Sequence, residues 1–352
     1  MVLFVDEIPR DIKRYTNLLS EDDKIQTTPI FPPKHIDDIS LSPKPDLILI
    51  DYLLTNRQPS GISASYRGGT LATYISEQLP DTPLVLFSTR GILSDHPNYE
   101  EEIQAIDYVL YKEDVNIDQE NAKKLLINIA NSFKLLSSVE NIDRNWKKLM
   151  ILLNANEIEE ENLQRSSPPR RMTDEKWSVK SVAKWILKTL LKYPGIFYNS
   201  LYAASSLGIS ESSFLRDEVQ SYFKDAYYQG IFSDIEKRWW KDRLQKIGFQ
   251  CIREANLKPL LSDTFMLAFQ KNTGIELQPS ICIYSGEKNA NTVCYILCQP
   301  VKMKYTLGYI PDERPESMEQ ARISYKAVIE EEIKEEFIPK ADAERLPSIR
   351  GG

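Results

Sequence analysis

Asp51 follows the apolar run Leu47-Ile48-Leu49-Ile50, and the acidic pair Asp6-Glu7 follows another, Val2-Leu3-Phe4-Val5. Runs of this kind, bounded by turn formers, read as parallel strands covered on both faces, because such strands need no polar alternation. Each delivers its carboxylates at its carboxyl end, the edge of an open α/β sheet at which ligands bind. Two such strands side by side bring three acidic groups around one point. Carboxylates so close repel one another unless a hard cation joins them, and oxygen ligands of this kind suit Mg²⁺. Later runs feed the same edge: Leu84-Val85-Leu86-Phe87 ends in Ser88-Thr89, and Tyr108-Val109-Leu110-Tyr111 ends in Lys112. A carboxylate nucleophile, a divalent cation, a hydroxyl and a lysine together make a constellation for phosphoryl transfer.

On these residues, the segment from 1 to about 135 resembles the receiver domain of two-component response regulators. The resemblance implies a flavodoxin-like, doubly wound α/β domain with a parallel five-stranded sheet over residues 1–137. It implies that Asp51 accepts a phosphoryl group and that Asp6, Glu7, Asp51 and the backbone carbonyl of Leu53 hold Mg²⁺. Ser88 corresponds to the switch hydroxyl, with Thr89 beside it, and Lys112 to the lysine that bridges to the phosphate. A histidine kinase or another phosphodonor is the implied partner. The chain departs from the family's pattern in three places. Val109 stands where the family has its aromatic switch residue, with Tyr108 and Tyr111 nearby. Lys112 is followed by Glu113 rather than proline, so no cis peptide is expected there. The stretch from Tyr52 to Gly68, with Arg57, Pro59, Gly61 and Arg67, is longer than the usual loop and is expected to gate the acceptor site. A degenerate receiver acting as a docking module is the alternative.

The 352 residues suit two or three domains, and no run approaches the roughly eighteen apolar residues of a membrane span. Met1 to Val5 reaches an acidic pair at once and has no basic flank, so it reads as a first strand and not a signal peptide. A cytoplasmic protein without membrane association is the expectation. The net charge of −7 argues against wholesale coating of nucleic acid. Cys251, Cys282, Cys294 and Cys298 all lie in the second half, and no second ligand pair follows Cys294 and Cys298 to complete a zinc site.

Helical spacing of Leu125, Leu126, Ile129 and Phe133 predicts a last receiver helix over residues 116–136, and a further helical stretch covers 142–154. The charged, proline-containing stretch 157–175 reads as a linker, which makes 138–175 a helical extension and linker. Residues 176–272 read as a helical output domain, 273–312 as a β-hairpin or sheet region, and 313–352 as an acidic helix with a flexible tail.

Within the output domain Trp177, Val182, Trp185, Ile186 and Leu190 share one face of a helix that stops at Tyr193-Pro194-Gly195. Lys176, Lys180, Lys184, Lys188 and Lys192 recur every four residues as a basic stripe, either a solvated face or a contact for phosphate or an acidic partner. Residues 202–215 resemble the turn of a helix-turn-helix, with Gly208 in the turn and Ser210 as a cap. The helix that follows carries Glu211, Asp217 and Glu218 against Arg216, so a structural hairpin fits better than DNA readout. Lys180, Lys184, Lys188 and Arg216 are the candidate contacts for nucleic acid or a protein partner. Tyr227-Tyr228, Phe232 and Trp239-Trp240 read as core. Residues 177–250 diffusely resemble a class of receiver proteins associated with bacterial defence. Strands are expected over 280–284 and 293–298, flanking a turn at 285–289, with a third over 302–309. The helix expected over 316–337 leads to a mobile end whose Gly351-Gly352 has the form used in ubiquitin-type conjugation, with Gly352 as the reacting terminus.

The expected function is a phosphorylation-responsive signalling protein with Asp51 as acceptor, Mg²⁺ as cofactor and a non-enzymatic output region that meets a protein partner or a second copy. The rivals are a helix-turn-helix transcription regulator and an adaptor or Gly-Gly-ended conjugation substrate.

Overall fold

The apolar runs form the centre of a five-stranded parallel sheet in the computed structural model, which describes residues 1–352 apart from 21–24, 57, 97–98, 140–145, 167, 170–177, 259, 312–313, 316–317, 332 and 351–352. Its strands are β1 (Val2–Val5), β2 (Thr27–Ile30), β3 (Leu47–Ile50), β4 (Leu84–Ser88) and β5 (Tyr108–Tyr111), in the order β2-β1-β3-β4-β5. That order is the flavodoxin-like doubly wound one, with its ligand crevice at the carboxyl ends of β1 and β3. Every residue of β1, β3 and β4 is buried, as strands covered by helices on both faces must be. β2 lies at the edge, where Pro29 costs no ladder hydrogen bond.

The helices of this half are α1 (Pro9–Ser20), α2 (Gly68–Gln78), α3 (Arg90–Ser94), α4 (Tyr99–Glu102), α5 (Lys112–Ile117) and α6 (Gln119–Ser138). Asp118 caps α6 by accepting from the Asn121 N–H at 3.0 Å, and the expected Leu125, Leu126, Ile129 and Phe133 face is buried, as is Leu136. The cis peptide bond among the described residues is Ser42–Pro43, and Lys112–Glu113 is trans as expected.

The chain divides into two compact units, one of Met1–Leu153, Pro169–Leu187 and Ile231–Ile235, the other of Asn154–Pro168, Lys188–Gly230 and Glu236–Gly352. In the first unit, α7 (Trp146–Leu153) matches the expected helical extension. The stretch read as a linker is not irregular: it holds α8 (Glu157–Arg165), which belongs to the second unit. Asn156 accepts from the N–H groups of Ile158 and Glu159, and Glu159 reaches back to the Asn156 N–H at 2.7 Å, a capping box that the charge run obscured.

α9 (Val179–Trp185) runs on into a π-helical turn at Ile186–Leu190, with Ser178 at its N-cap, and Trp177 lies outside the described residues. In the second unit, β6 (Phe197–Tyr198) leads to α10 (Ser200–Ser206), α11 (Glu211–Phe214) and α12 (Asp217–Tyr222). Gly208 makes the predicted turn at φ +75°, where a Cβ would also stand 1.9 Å from the Ser262 carbonyl, and Ser210 caps α11 at 3.1 Å. α11 has only four residues, too short to lie along a major groove as a recognition helix. β7 (Trp239–Trp240), α13 (Lys241–Glu254) and α14 (Leu261–Thr273) complete the helical core, which buries Trp239, Phe214, Phe223 and Phe265.

The C-terminal strands are β8 (Thr292–Cys294), β9 (Gln299–Val301), β10 (Thr306–Tyr309) and β11 (Ala321–Ser324), followed by α15 (Tyr325–Glu330), α16 (Lys340–Ala343) and α17 (Leu346–Arg350). β8 pairs with β9 and β10 with β11, each antiparallel. The hairpin expected around residues 285–289 is thus shifted: Tyr295 to Cys298 form the turn, with Cys298 at φ 48°, and 281–288 retain a single bridge. Part of the expected acidic helix is strand β11, whose buried-side alternation competes with the helical spacing. The expected flexible tail carries α16 and α17, with Leu346 buried and Arg350 donating to the Ile333 carbonyl at 2.7 Å. Gly351 and Gly352 lie outside the described residues. No described helix is long and apolar enough to cross a membrane.

Candidate functional site

The pairing of β1 with β3 matches Val5 to Ile50, so the next residues, Asp6 and Asp51, emerge side by side at the carboxyl edge of the sheet. Asp6, Glu7 and Asp51 are 0%, 1% and 2% exposed. Their carboxylate oxygens lie within 4.8 Å of one another, the one group of three such side chains among the described residues. The Ile8 N–H donates to Asp6 Oδ1 at 2.8 Å and Asn56 Nδ2 donates to Glu7 Oε1 at 2.6 Å. Lys112, the first residue of α5, brings its buried ammonium from β5 to within 2.9 Å of Asp11 Oδ2, 3.1 Å of Asp6 Oδ2 and 3.3 Å of Asp51 Oδ1.

Burial pushes the Asp51 carboxyl up to about 8, against the pull of Lys112 and with further upward pressure from Asp6 and Glu7. Burial also raises Asp6 and Glu7. For Lys112 burial works downward, but Asp51, Asp6 and Asp11 overcome it and hold the ammonium above its ordinary value. The lysine is therefore a fixed cation, while the acidic groups crowded beside it are held back from ionising until further positive charge joins them. Glu7 Oε2 and Asp51 Oδ1 are buried with no hydrogen-bond partner among the described residues. A buried carboxylate oxygen without a hydrogen bond is costly, and Glu7 Oε2 together with Asp51 Oδ1, which has only a shared ammonium at 3.3 Å, fits an added hard cation. The donor set, all oxygen, fits Mg²⁺.

Ser88 ends β4 opposite Tyr111 and is fully buried, with its Oγ unpartnered among the described residues. Thr89 caps α3 by accepting from the Ile92 N–H at 3.3 Å. Tyr108 and Tyr111 are half-buried on β5, and the Arg90 guanidinium lies 4.2 Å from the Tyr111 ring centroid while both Asp114 oxygens accept from it at 2.8 and 2.9 Å. Leu53 is half-buried and packs on the core of the sheet's face.

The long connection after Asp51 is pinned on both sides. Tyr52, fully buried, donates to Glu102 Oε2 at 2.8 Å, and Arg67 donates to Glu102 Oε1 at 2.9 Å. Gln58 Nε2 donates to the Pro32 carbonyl at 2.7 Å and Tyr66 to that of Pro33 at 2.8 Å. At its end Gly68 approaches so closely that a Cβ would stand 2.1 Å from the Asp51 carbonyl oxygen. Arg57 lies outside the described residues.

The basic candidates differ in their surroundings. Lys180 is buried, 9% exposed, with its ammonium 3.8 Å from Asp107 Oδ2, which takes it out of a solvated stripe. Burial lowers its pKa against the pull of Asp107. Lys184 donates to the Gln104 carbonyl at 2.7 Å, and Lys188 belongs to the other unit, in the π-helical turn. Arg216 donates to the Glu276 carbonyl at 2.7 Å and pairs with Glu218 at 3.5 Å. Cys294 is buried and Cys298 exposed, both free. Sequence reasoning missed Asp11, Asn56 and Glu102. Only Asp11 left a signal, four residues after Glu7 and just past the Pro9 that opens α1.

No protein-family model and no curated protein sequence matches the chain. Among solved structures, it is similar to the receiver domain of NtrX from Brucella abortus at 21% identity, over 35% of this chain and 98% of that one, with a TM-score of 0.25. The N-terminal signal receiver domain of a two-component response regulator from Bacteroides fragilis matches at 17% identity, over 37% and 94%, with a TM-score of 0.28. The response regulator TrrA from Thermotoga maritima, in complex with Mg²⁺-BeF, matches at 22% identity, over 36% and 97%, with a TM-score of 0.25.

Proposed function

We propose that the N-terminal sheet is a phosphoryl-accepting receiver and that Asp51 is the acceptor. The observation that carries this reading is the Asp51 carboxylate, buried beside Asp6 and Glu7 with the Lys112 ammonium 3.3 Å away. Asp6, Glu7 and Asp51, with the Leu53 carbonyl, would hold Mg²⁺, which supplies neutralisation of charge on phosphoryl oxygens. An ionised Asp51 oxygen attacks the phosphorus of a phosphohistidine on a histidine kinase, or of a small acyl phosphate, in line. A new P–O bond forms, the bond to the donor breaks, and the electron pair leaves with the donor. Lys112, a permanent cation at the rim, stabilises charge on the transferred group.

Ser88 has the free buried hydroxyl that such a product would draw in. Thr89 and Arg90 follow it directly, so a move of Ser88 pulls on the Arg90 contacts with Tyr111 and Asp114. In this reading Tyr111 serves as the aromatic reporter that Val109 cannot be. In the same unit α6 has its own covering: Phe133 packs on Phe232 with ring centroids 5.9 Å apart, and Ser132 Oγ accepts from the Phe232 N–H at 2.9 Å. We assign the readout to α6 and this covering segment, which then serves a protein partner of the output region.

Beryllofluoride with Mg²⁺ tests the assignment. Hydrogen exchange of the β4–α3 connection and of residues 231–235 is expected to change in the wild type and not in Asp51→Asn. An identical response in both would overturn it.

A further inference from the structure

Lys112 is placed by more than the two carboxylates of the sheet edge. An ammonium has three N–H donors, and three carboxylates surround this one: Asp11 at 2.9 Å, Asp6 at 3.1 Å and Asp51 at 3.3 Å. Asp11 provides the closest approach, yet it lies outside the acidic cluster of Asp6, Glu7 and Asp51. It is also the most open of the three partners, its side chain 25% exposed against 0% for Asp6 and 2% for Asp51. Aromatic rings wall the ammonium on its remaining sides, with Phe87 at 5.5 Å and Tyr15 at 5.9 Å from Nζ. Those rings pack edge to face on each other at 4.7 Å. The lysine head is thus confined among three carboxylates and two rings, and of the carboxylates only Asp11 stands outside the acidic cluster.

A divalent ion and this ammonium want the same oxygens, and two cations within a few ångströms of each other repel strongly at low effective dielectric. When Asp6 and Asp51 turn to a cation, Lys112 must keep a partner or move. Resting on the phosphoryl-transfer reading of this pocket, we propose that Asp11 is a positioning residue that holds Lys112 at the rim and so keeps it from occupying the cation's place. Asp11 does not touch the reacting group. It acts through Lys112, by giving the ammonium an anchor that the metal does not contest.

The test is Mg²⁺ affinity, measured by titration calorimetry on the full chain in a double-mutant cycle. Removing the anchor by Asp11→Asn leaves Lys112 to settle between Asp6 and Asp51, and is expected to weaken Mg²⁺ binding about three- to tenfold, the scale of one charge-assisted hydrogen bond partly open to solvent. Asp11→Glu should restore most of it. In a Lys112→Met background the same Asp11→Asn change should have no effect, because the competitor is gone; Lys112→Gln gives a second lysine-free background. An unchanged affinity in Asp11→Asn would overturn the inference. So would an equal loss with and without the lysine, which would mean that Asp11 acts only through its own charge. Both outcomes leave the receiver reading standing. A wild type that binds no Mg²⁺ removes the receiver reading and this inference with it.

Discussion

Asp51 in the sheet unit and Glu159 in the helical unit are equally buried acids, each with its side chain 2% exposed, and they are treated in opposite ways. Both Glu159 oxygens are taken: Arg243 grips them with two nitrogens, and Asn156 donates to them from backbone and side chain. At the sheet edge Asp51 Oδ1 and Glu7 Oε2 have no hydrogen-bond partner among the described residues, and a single ammonium serves three carboxylates. Burial without satisfaction destabilises a fold, and it persists where a function uses it. Glu159 is a strut, and on the proposed reading Asp51 is a group kept in readiness.

That contrast breaks most visibly if the strut is removed. Arg243→Ala strands a buried carboxylate and should cost about 3 kcal/mol in urea unfolding of the helical unit, with no change in Mg²⁺ binding. A cost under about 0.5 kcal/mol would mean the pair is no more structural than a surface bridge. Gly68→Ala comes next, because its methyl meets the Asp51 carbonyl oxygen at 2.1 Å. We expect about 2 kcal/mol of destabilisation together with weakened Mg²⁺ binding, since the clash displaces the backbone of Asp51 itself.

Asp51→Asn has the opposite sign. The Asp51 carboxyl is raised from 3.8 to about 8, so between those values the native state holds a proton that the unfolded chain has released. Stability from this group therefore falls as pH rises through that window. Asp51→Asn should be more stable than the wild type by about 1 kcal/mol near the upper end, and the gain should vanish near the lower end. Melting temperatures across that range check it, and a variant less stable throughout would contradict it. Added Mg²⁺ should raise the melting temperature of the wild type and not that of the variant. Smallest of all, Ser88→Ala should shift stability by less than about 0.5 kcal/mol, because its hydroxyl makes no described hydrogen bond to lose.

The sheet half was legible because parallel strands buried on both faces leave continuous apolar runs, and their ends point to the site without further help. β2 was not, because an edge strand of Thr27-Thr28-Pro29-Ile30 has neither the run nor the alternation. In the second half the signals compete. Val293 to Cys298 is uniformly apolar, so nothing marks the turn inside it, and no glycine announces the positive φ at Cys298. The acidic stretch around residue 160 reads as solvated, while a capping box and Arg243 make one of its carboxylates a buried tie. The lysine repeat put Lys180 on a solvated face of α9, where it is in fact buried, because Asp107, which receives it, is far away in sequence. Asp11 needed the fold too, because its partner lies on the other side of the sheet's chain order.

Intact mass after incubation with Mg²⁺ and acetyl phosphate tests the central claim most directly. The wild type is expected to gain one phosphoryl group that hydroxylamine removes, as an acyl phosphate requires, and Asp51→Asn to gain none. No gain in the wild type, or the same gain in the variant, would contradict the account.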